Sequence, residues 1–340
     1  MKPLRIVIVG VSVFLVLCSI YALVVLSPNP WIRDHRMMLG ASSVAPADLA
    51  AERQSFQTAI VANTLQPDGP AAPPPAKVFA LVHYSAPDGL LAAYITPDPH
   101  DGKRHPAVLW AHGGYGGIGS FLWEKQSPLN DQSARAFREA GIVMMAPSWR
   151  GENDNPGRFE MFYGEVDDLL AARDYLAKLP YVDPDRIYLA GHSTGGTMVL
   201  LAAEKGGGFR DVFSLGGVSD LKRRLAAGST STAPPFDTQS AKELRLRSPI
   251  YFISSLKSPA FYFEGENEFT GKEALRMRTV AEQQKAPLQV FLIPGANHFS
   301  EVLPTTRLIA KKILEDNGPK TTISFTQEEV EEAFHTLNQP

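Results

Sequence analysis

The chain has 340 residues, 44% of them hydrophobic and 20% charged, with a formal net charge of −3. That length holds one large α/β domain or two smaller ones. Near-neutral charge with scattered Lys and Arg excludes a phosphate-tracking nucleic-acid surface. The one cysteine, Cys18, excludes an intrachain disulfide and a cysteine-based metal site.

Lys2 and Arg5 precede an uncharged run at residues 6–26. A helix needs about 20 apolar residues to cross a bilayer, so the run is long enough. A cleavable signal usually has an apolar region of about 7–15 residues closed by an A-x-A-like site. Val25-Leu26-Ser27-Pro28-Asn29-Pro30 offers no such site. Residues 1–27 are therefore expected to be an uncleaved single-pass membrane anchor. The positive residues before the run point to a cytoplasmic N-terminus and an extracytoplasmic body. Secretion after signal cleavage is the alternative.

Residues 28–76 read as a helix followed by a Pro-rich linker. The helix is expected at 46–65, with Leu49, Phe56, Ile60 and Val61 as a partial apolar stripe. Pro67 to Pro75 then reads as a stiff, extended connector. From Lys77 onward strand and helix signals alternate, as in an α/β domain, here spanning 77–318. Strands are expected at 78–84 and 90–96, paired around Pro87-Asp88-Gly89, and then at 107–111, 142–146, 186–190, 212–215, 259–263 and 288–293. Helices are expected at 132–140, 164–179, 197–204, 272–285 and 304–315. The tail, 319–340, carries the capping-box pattern Thr326-Gln327-Glu328-Glu329. Val330, Ala333, Phe334 and Leu337 follow at helical spacing, giving a helix docked on the domain.

The chemistry gathers in three loops. Gly191-His192-Ser193-Thr194-Gly195 fits G-x-S-x-G, a nucleophile elbow between an apolar strand and a helix, and makes Ser193 the nucleophile. A serine hydroxyl needs a base to take its proton. His298, in Gly295-Ala296-Asn297-His298-Phe299 after the last core strand, is that base. The orienting acid belongs after the strand at 259–263, where Glu264, Glu266 and Glu268 stand together. Counting Gly-x-x-acid from Gly265 selects Glu268, with Glu264 and Glu266 as alternatives. The tetrahedral intermediate needs two N–H donors. One is the N–H of Thr194, and the other comes from His112-Gly113-Gly114-Tyr115, at Gly114 or Tyr115. A phosphate cradle is excluded there, since G-x-G-x-x-G and a Walker lysine are both absent.

At these residues the chain resembles the α/β-hydrolase superfamily, and within it the catalytic domain of the prolyl-oligopeptidase family of serine peptidases. Dienelactone-hydrolase-like esterases are next closest. The resemblance covers residues 77–317. It is carried by His112-Gly113-Gly114, Trp149-Arg150-Gly151, Gly164-Glu165-Val166-Asp167-Asp168 and Tyr181-Val182-Asp183-Pro184-Asp185-Arg186-Ile187. Gly191-His192-Ser193-Thr194-Gly195-Gly196 and Gly295-Ala296-Asn297-His298-Phe299 complete it. It implies an α/β-hydrolase fold, a mostly parallel eight-stranded sheet with helices on both faces, to which the apolar run at 6–26 adds the expected N-terminal transmembrane helix. It also implies Ser193 as nucleophile, His298 as base and oxyanion donors near Gly114 and Thr194, with no metal or organic cofactor.

Two departures stand out. Glu occupies the position where the family has Asp, and the chain before Lys77 is too short for the β-propeller of the larger oligopeptidases. Arg150, Asp167 and Asp168 read as structural, in an ion pair or a helix cap. Residues 221–246 read as a cap over the site, with Leu225 and Phe236 either lining a pocket or packing the loop. The expected activity is cleavage of a peptide or small ester through an acyl-enzyme. A carboxylesterase and a catalytically inactive binding module are the alternatives. Oligomeric state is left open by the sequence.

Overall fold

In the computed structural model the described residues are 44–337, apart from 229, 231, 267 and 268. Eight strands make one sheet: β1 (Ala80–Ala86), β2 (Gly89–Ile95), β3 (His105–Ala111), β4 (Val143–Pro147), β5 (Val182–His192), β6 (Val212–Leu215), β7 (Ala260–Gly265) and β8 (Leu288–Ile293). Their spatial order is β1-β2-β4-β3-β5-β6-β7-β8. The first two pairings are antiparallel and the rest parallel. The parallel strands are near-continuous apolar runs, such as Ala107-Val108-Leu109-Trp110-Ala111, because both faces are covered.

The helices doing the covering are α1 (Leu49–Gln54), α2 (Arg135–Glu139), α3 (Gly164–Leu176), α4 (Thr194–Lys205), α5 (Leu221–Ala226), α6 (Ala241–Arg245), α7 (Phe269–Gln284), α8 (Val302–Glu315) and α9 (Gln327–Leu337). On one face Trp110, Met144, Tyr188, Phe213 and Phe263 pack with Phe137 of α2, Ile309 and Ile313 of α8, and Val330 and Phe334 of α9. Strand pleating sends the alternate side chains to the other face, where α3 and α4 lie against β3 and β5.

The expected helix at 46–65 shrinks to α1. Asp48 caps it by accepting from Ala51 N–H at 2.9 Å. The buried Arg53 then donates to the carbonyls of Phe162, Tyr163 and Leu246, each at 2.8 Å, and holds the chain down. Beyond it Thr58, Ile60 and Val61 are β-branched and disfavour helix. Ile60 bridges Phe236, and Val61 N–H donates to Pro235 O at 2.7 Å. Val61, expected in an apolar stripe, is 66% exposed. The connector is also tied down: Asp68 accepts from Gly117 N–H and Asn153 N–H, and Tyr94 donates to Ala72 O at 2.5 Å. Ala45–Pro340 form one compact unit.

Arg150 donates to Asp168 through two bonds of 2.9 and 2.7 Å, and Asp167 pairs with Lys205 on α4. Both are the structural contacts expected of them. Phe236 is buried beneath the Arg247 guanidinium, 3.9 Å from its ring centre, and packs the 221–246 segment. The tail helix docks as its pattern predicts. Glu329 N–H donates to Thr326 Oγ1 at 3.2 Å, and Thr326 N–H donates back to Glu329 Oε2 at 2.9 Å. No helix among the described residues is long and apolar enough to cross a membrane; the apolar run at 6–26 lies outside them.

Asp316, just past α8, accepts from Arg210, from Tyr188 Oη at 2.7 Å and from Thr322 N–H at 3.0 Å. Burial alone would raise its pKa, but Arg210 and Tyr188 outweigh it and hold the carboxyl well below the usual range. Its stabilisation is therefore present above the unfolded-state pKa of about 4 and drains away as pH falls below that. Asp316→Asn is expected to cost about 3–5 kcal/mol in urea unfolding at pH 7 by leaving Arg210 uncompensated. The gap from wild type should narrow as the pH drops below about 4.

Candidate active site

Strand β5 ends in His192, and α4 begins at Thr194, so the reversal falls on Ser193 alone. Ser193 has φ 55° and ψ −116°. That is a region a side-chain-bearing residue occupies only under constraint, at a cost of about 1–3 kcal/mol. The constraint is steric. A Cβ on Gly195 would sit 2.0 Å from Ala111 O, and one on Gly191 2.7 Å from the Gly195 backbone. The bare backbones let α4 start against the end of β3. Ser193 N–H also donates to Leu215 O at 2.7 Å, which fixes the turn to β6.

The loop after β8 brings His298 over this turn. Ser193 Oγ and His298 Nε2 are in hydrogen-bonding contact at 3.0 Å, the arrangement in which the imidazole can take the hydroxyl proton. The ring's Nδ1 lies 3.6 Å from Glu264 Oε1, at the end of β7. Glu264 is fully buried, and its Oε1 also accepts from Gly265 N–H at 3.0 Å. Of the other two sequence candidates, Glu266 is exposed and Glu268 lies outside the described residues. The carboxylate found on His298 is thus Glu264, four residues before the one that Gly-x-x-acid spacing selects.

Three further residues build the setting, and no motif announced them. His192 packs its ring 4.6 Å from that of His298. Its Nε2 donates to His298 O at 2.8 Å, and its Nδ1 pairs with the Gln132 side-chain amide at 3.0 Å. Burial, then the neighbouring His298, pushes the His192 pKa down to about 3, so it is a neutral brace. Glu301, three residues beyond His298, is also fully buried beside the pair. The only sequence signal for it was proximity to the histidine.

The expected oxyanion turn lies against the elbow: a Cβ on Gly113 would sit 3.3 Å from Ser193 Cβ. Thr194 Oγ1 donates to Gly114 O at 2.5 Å, tying the two candidate donor segments together. Thr194 is the first residue of α4, so its N–H has no acceptor within the helix. Gly114 takes φ 87°, which favours glycine. Tyr115 stacks near Phe159 and Phe162, with ring centres 5.4 and 5.9 Å away, and burial pushes its phenol up to about 12. Phe159 also lines a cavity of about 380 Å³ with Ile60, Val61, Glu152 and Arg158.

Comparison with known proteins places the chain in a family. The profile of the prolyl oligopeptidase family matches residues 129–313. The chain belongs to the prolyl oligopeptidase family. Among curated relatives, dipeptidyl-peptidase 5 of Porphyromonas gingivalis is 26% identical over 226 residues, covering 60% of this chain and 32% of that protein. The uncharacterized peptidase YtmA of Bacillus subtilis is 27% identical over 194 residues, 53% of this chain and 68% of that one. The chain thus spans about a third of the length of the first relative. The acylaminoacyl peptidase of Pyrococcus horikoshii superposes with a TM-score of 0.56 at 18% identity, over 75% of this chain and 44% of that one, a likeness of fold.

Since the strain at Ser193 is a property of the elbow, removing the side chain should release it. Ser193→Gly is expected to be more stable than Ser193→Ala by about 1 kcal/mol, the relief less the entropy cost of glycine. Paired urea melts of the two variants measure this.

Proposed function

We propose that this protein is a serine peptidase that works through an acyl-enzyme. The observation that carries the proposal is the 3.0 Å contact between Ser193 Oγ and His298 Nε2, made by residues 105 apart in the chain. In this reading His298 takes the hydroxyl proton as Ser193 attacks the scissile carbonyl, leaving a tetrahedral oxyanion. The N–H of Thr194 and that of Gly114 or Tyr115 stabilise the oxyanion, each worth about 2.7–4 kcal/mol of barrier. His298 then returns the proton to the leaving amine. A water, deprotonated by the same imidazole, attacks the acyl-enzyme, and the proton goes back to Ser193 as the acid product leaves.

Glu264 orients the ring and stabilises the imidazolium. The 3.6 Å spacing is one that tightens when the imidazole becomes charged. Glu268 is the competing acid.

Ser193→Ala is expected to abolish fluorophosphonate labelling and turnover of a p-nitrophenyl ester; undiminished labelling would refute the proposal. Glu264→Gln should lower kcat by roughly 10³–10⁴, the scale seen when a triad acid is neutralised. Glu268→Gln should leave kcat within about threefold on that same scale, and the reverse order would give the acid's role to Glu268. A carboxylesterase would use the same groups, so a panel of acyl esters beside aminoacyl and prolyl amides decides between them. If the wild type takes no label, the inactive binding-module reading prevails.

We further propose that the apolar run at 6–26 anchors the protein as a single membrane span, with the catalytic domain outside the cytoplasm. The support is its length, its uniform apolarity and the absence of a cleavage site. The full chain should resist extraction by alkaline carbonate; release into the soluble fraction would favour cleavage and secretion.

A further inference from the structure

Two buried carboxyl groups attend one imidazole. Glu264 reaches His298 from the end of β7. Glu301 reaches the same place from the position just before α8, where its side chain leaves the helix N–H groups uncapped. A carboxylate oxygen of Glu301 and ring nitrogens of His298 and His192 all lie within 4.8 Å of one another. Both His192 nitrogens are already engaged, as is His298 Nε2. Gly216 makes the approach possible, since a Cβ there would meet His298 Nδ1 at 2.6 Å and Glu301 Oε1 at 3.3 Å. Both glutamates are fully buried. Glu264 Oε2, His298 Nδ1 and both Glu301 oxygens lack hydrogen-bond partners among the described residues.

Two carboxylates and one neutral imidazole in such a place would bury two unpaired negative charges around the same ring, and buried like charges sharing one site do not both ionise. One proton is needed. Because Glu264 accepts from a backbone N–H and faces His298 Nδ1, it is the member suited to carry the charge.

We propose that Glu301 keeps its proton beside His298, which leaves Glu264 as the single negative charge opposite the imidazole. Glu301 is a positioning residue, acting through Glu264 and the imidazole. This rests on the reading of Ser193, His298 and Glu264 given above. Burial first, and the charge of Glu264 next, push the Glu301 carboxyl well above the usual range, in keeping with a retained proton. Among the described residues, the other titratable groups facing the pair are His192 on β5, held neutral, and Tyr262 on β7, whose phenol burial pushes well up.

The test compares three variants of the full chain with an ester substrate across pH, each first checked for folding by thermal melt. Glu301→Gln mimics a protonated carboxyl. It should keep kcat within about threefold and leave the acid limb of kcat/KM where it is in the wild type. Glu301→Leu removes the polar group at similar size. It should lower kcat about ten- to hundredfold with little change in KM. Glu264→Gln should lose roughly 10³-fold or more. A Glu301→Gln variant as inactive as Glu264→Gln, or one that does not fold, overturns the proposal, because either outcome means that Glu301 is ionised. Equal, full activity in Glu301→Gln and Glu301→Leu also overturns it, since the position would then be filler. Wild-type enzyme that turns over no substrate and takes no fluorophosphonate label sinks the underlying reading instead.

Discussion

At the centre of the molecule, the chain passes from β5 to α4 within hydrogen-bonding distance of two other strands. Backbone meets backbone where Gly195 faces Ala111 O, and Ser193 is held by Leu215 O. No side chain fits between them, so the reversal is compressed onto one residue, whose hydroxyl is then the only part of the turn free to point away from the sheet. That compression stores strain which the packed sheet must offset. It is also what puts Oγ beneath an imidazole delivered from another loop. A looser turn would spread the reversal over several residues and lose the aim.

The sheet order follows from the same need. With β3 and β5 adjacent and β4 on the far side of β3, the loops after β3 and β5 emerge together at the carboxyl ends of the parallel strands, where open α/β sheets form their crevices. The end of strand β7 and the loop after β8 add Glu264 and His298 from the same end. The helices on both faces keep that end rigid, and Asp316 fastens α8 to β5 through Tyr188 and to Arg210. Reactive groups thus stand on strand ends and short loops, where small errors in position are least tolerated.

Charge is buried sparingly and mostly in company. Arg150 meets Asp168, Asp88 and Glu160, and Arg247 meets Glu243 and Thr58. Around His298 the balance is different: polar atoms of two glutamates and the imidazole have no hydrogen-bond partner among the described residues. Unsatisfied buried groups are costly, and they concentrate where a reaction changes the charge.

Local pattern made much of this legible. The apolar runs mark the strands, and the glycines of 191–196 mark a turn that only glycine permits. Those signals, with the histidine after the last strand, suffice to name Ser193 and His298. They act between near neighbours in sequence, which is why they survive in a string of letters. The helix at 46–65 failed because its end is decided by Arg53 and Pro235 contacts far along the chain. Spacing selects Glu268, which lies outside the described residues, while the register of β7 against β8 brings Glu264 to the His298 loop. Glu301, His192 and Gln132 owe their places to three-dimensional packing alone. A sequence states which groups are present and how the backbone bends locally; which buried charge faces which is settled only when distant segments share one low-dielectric volume.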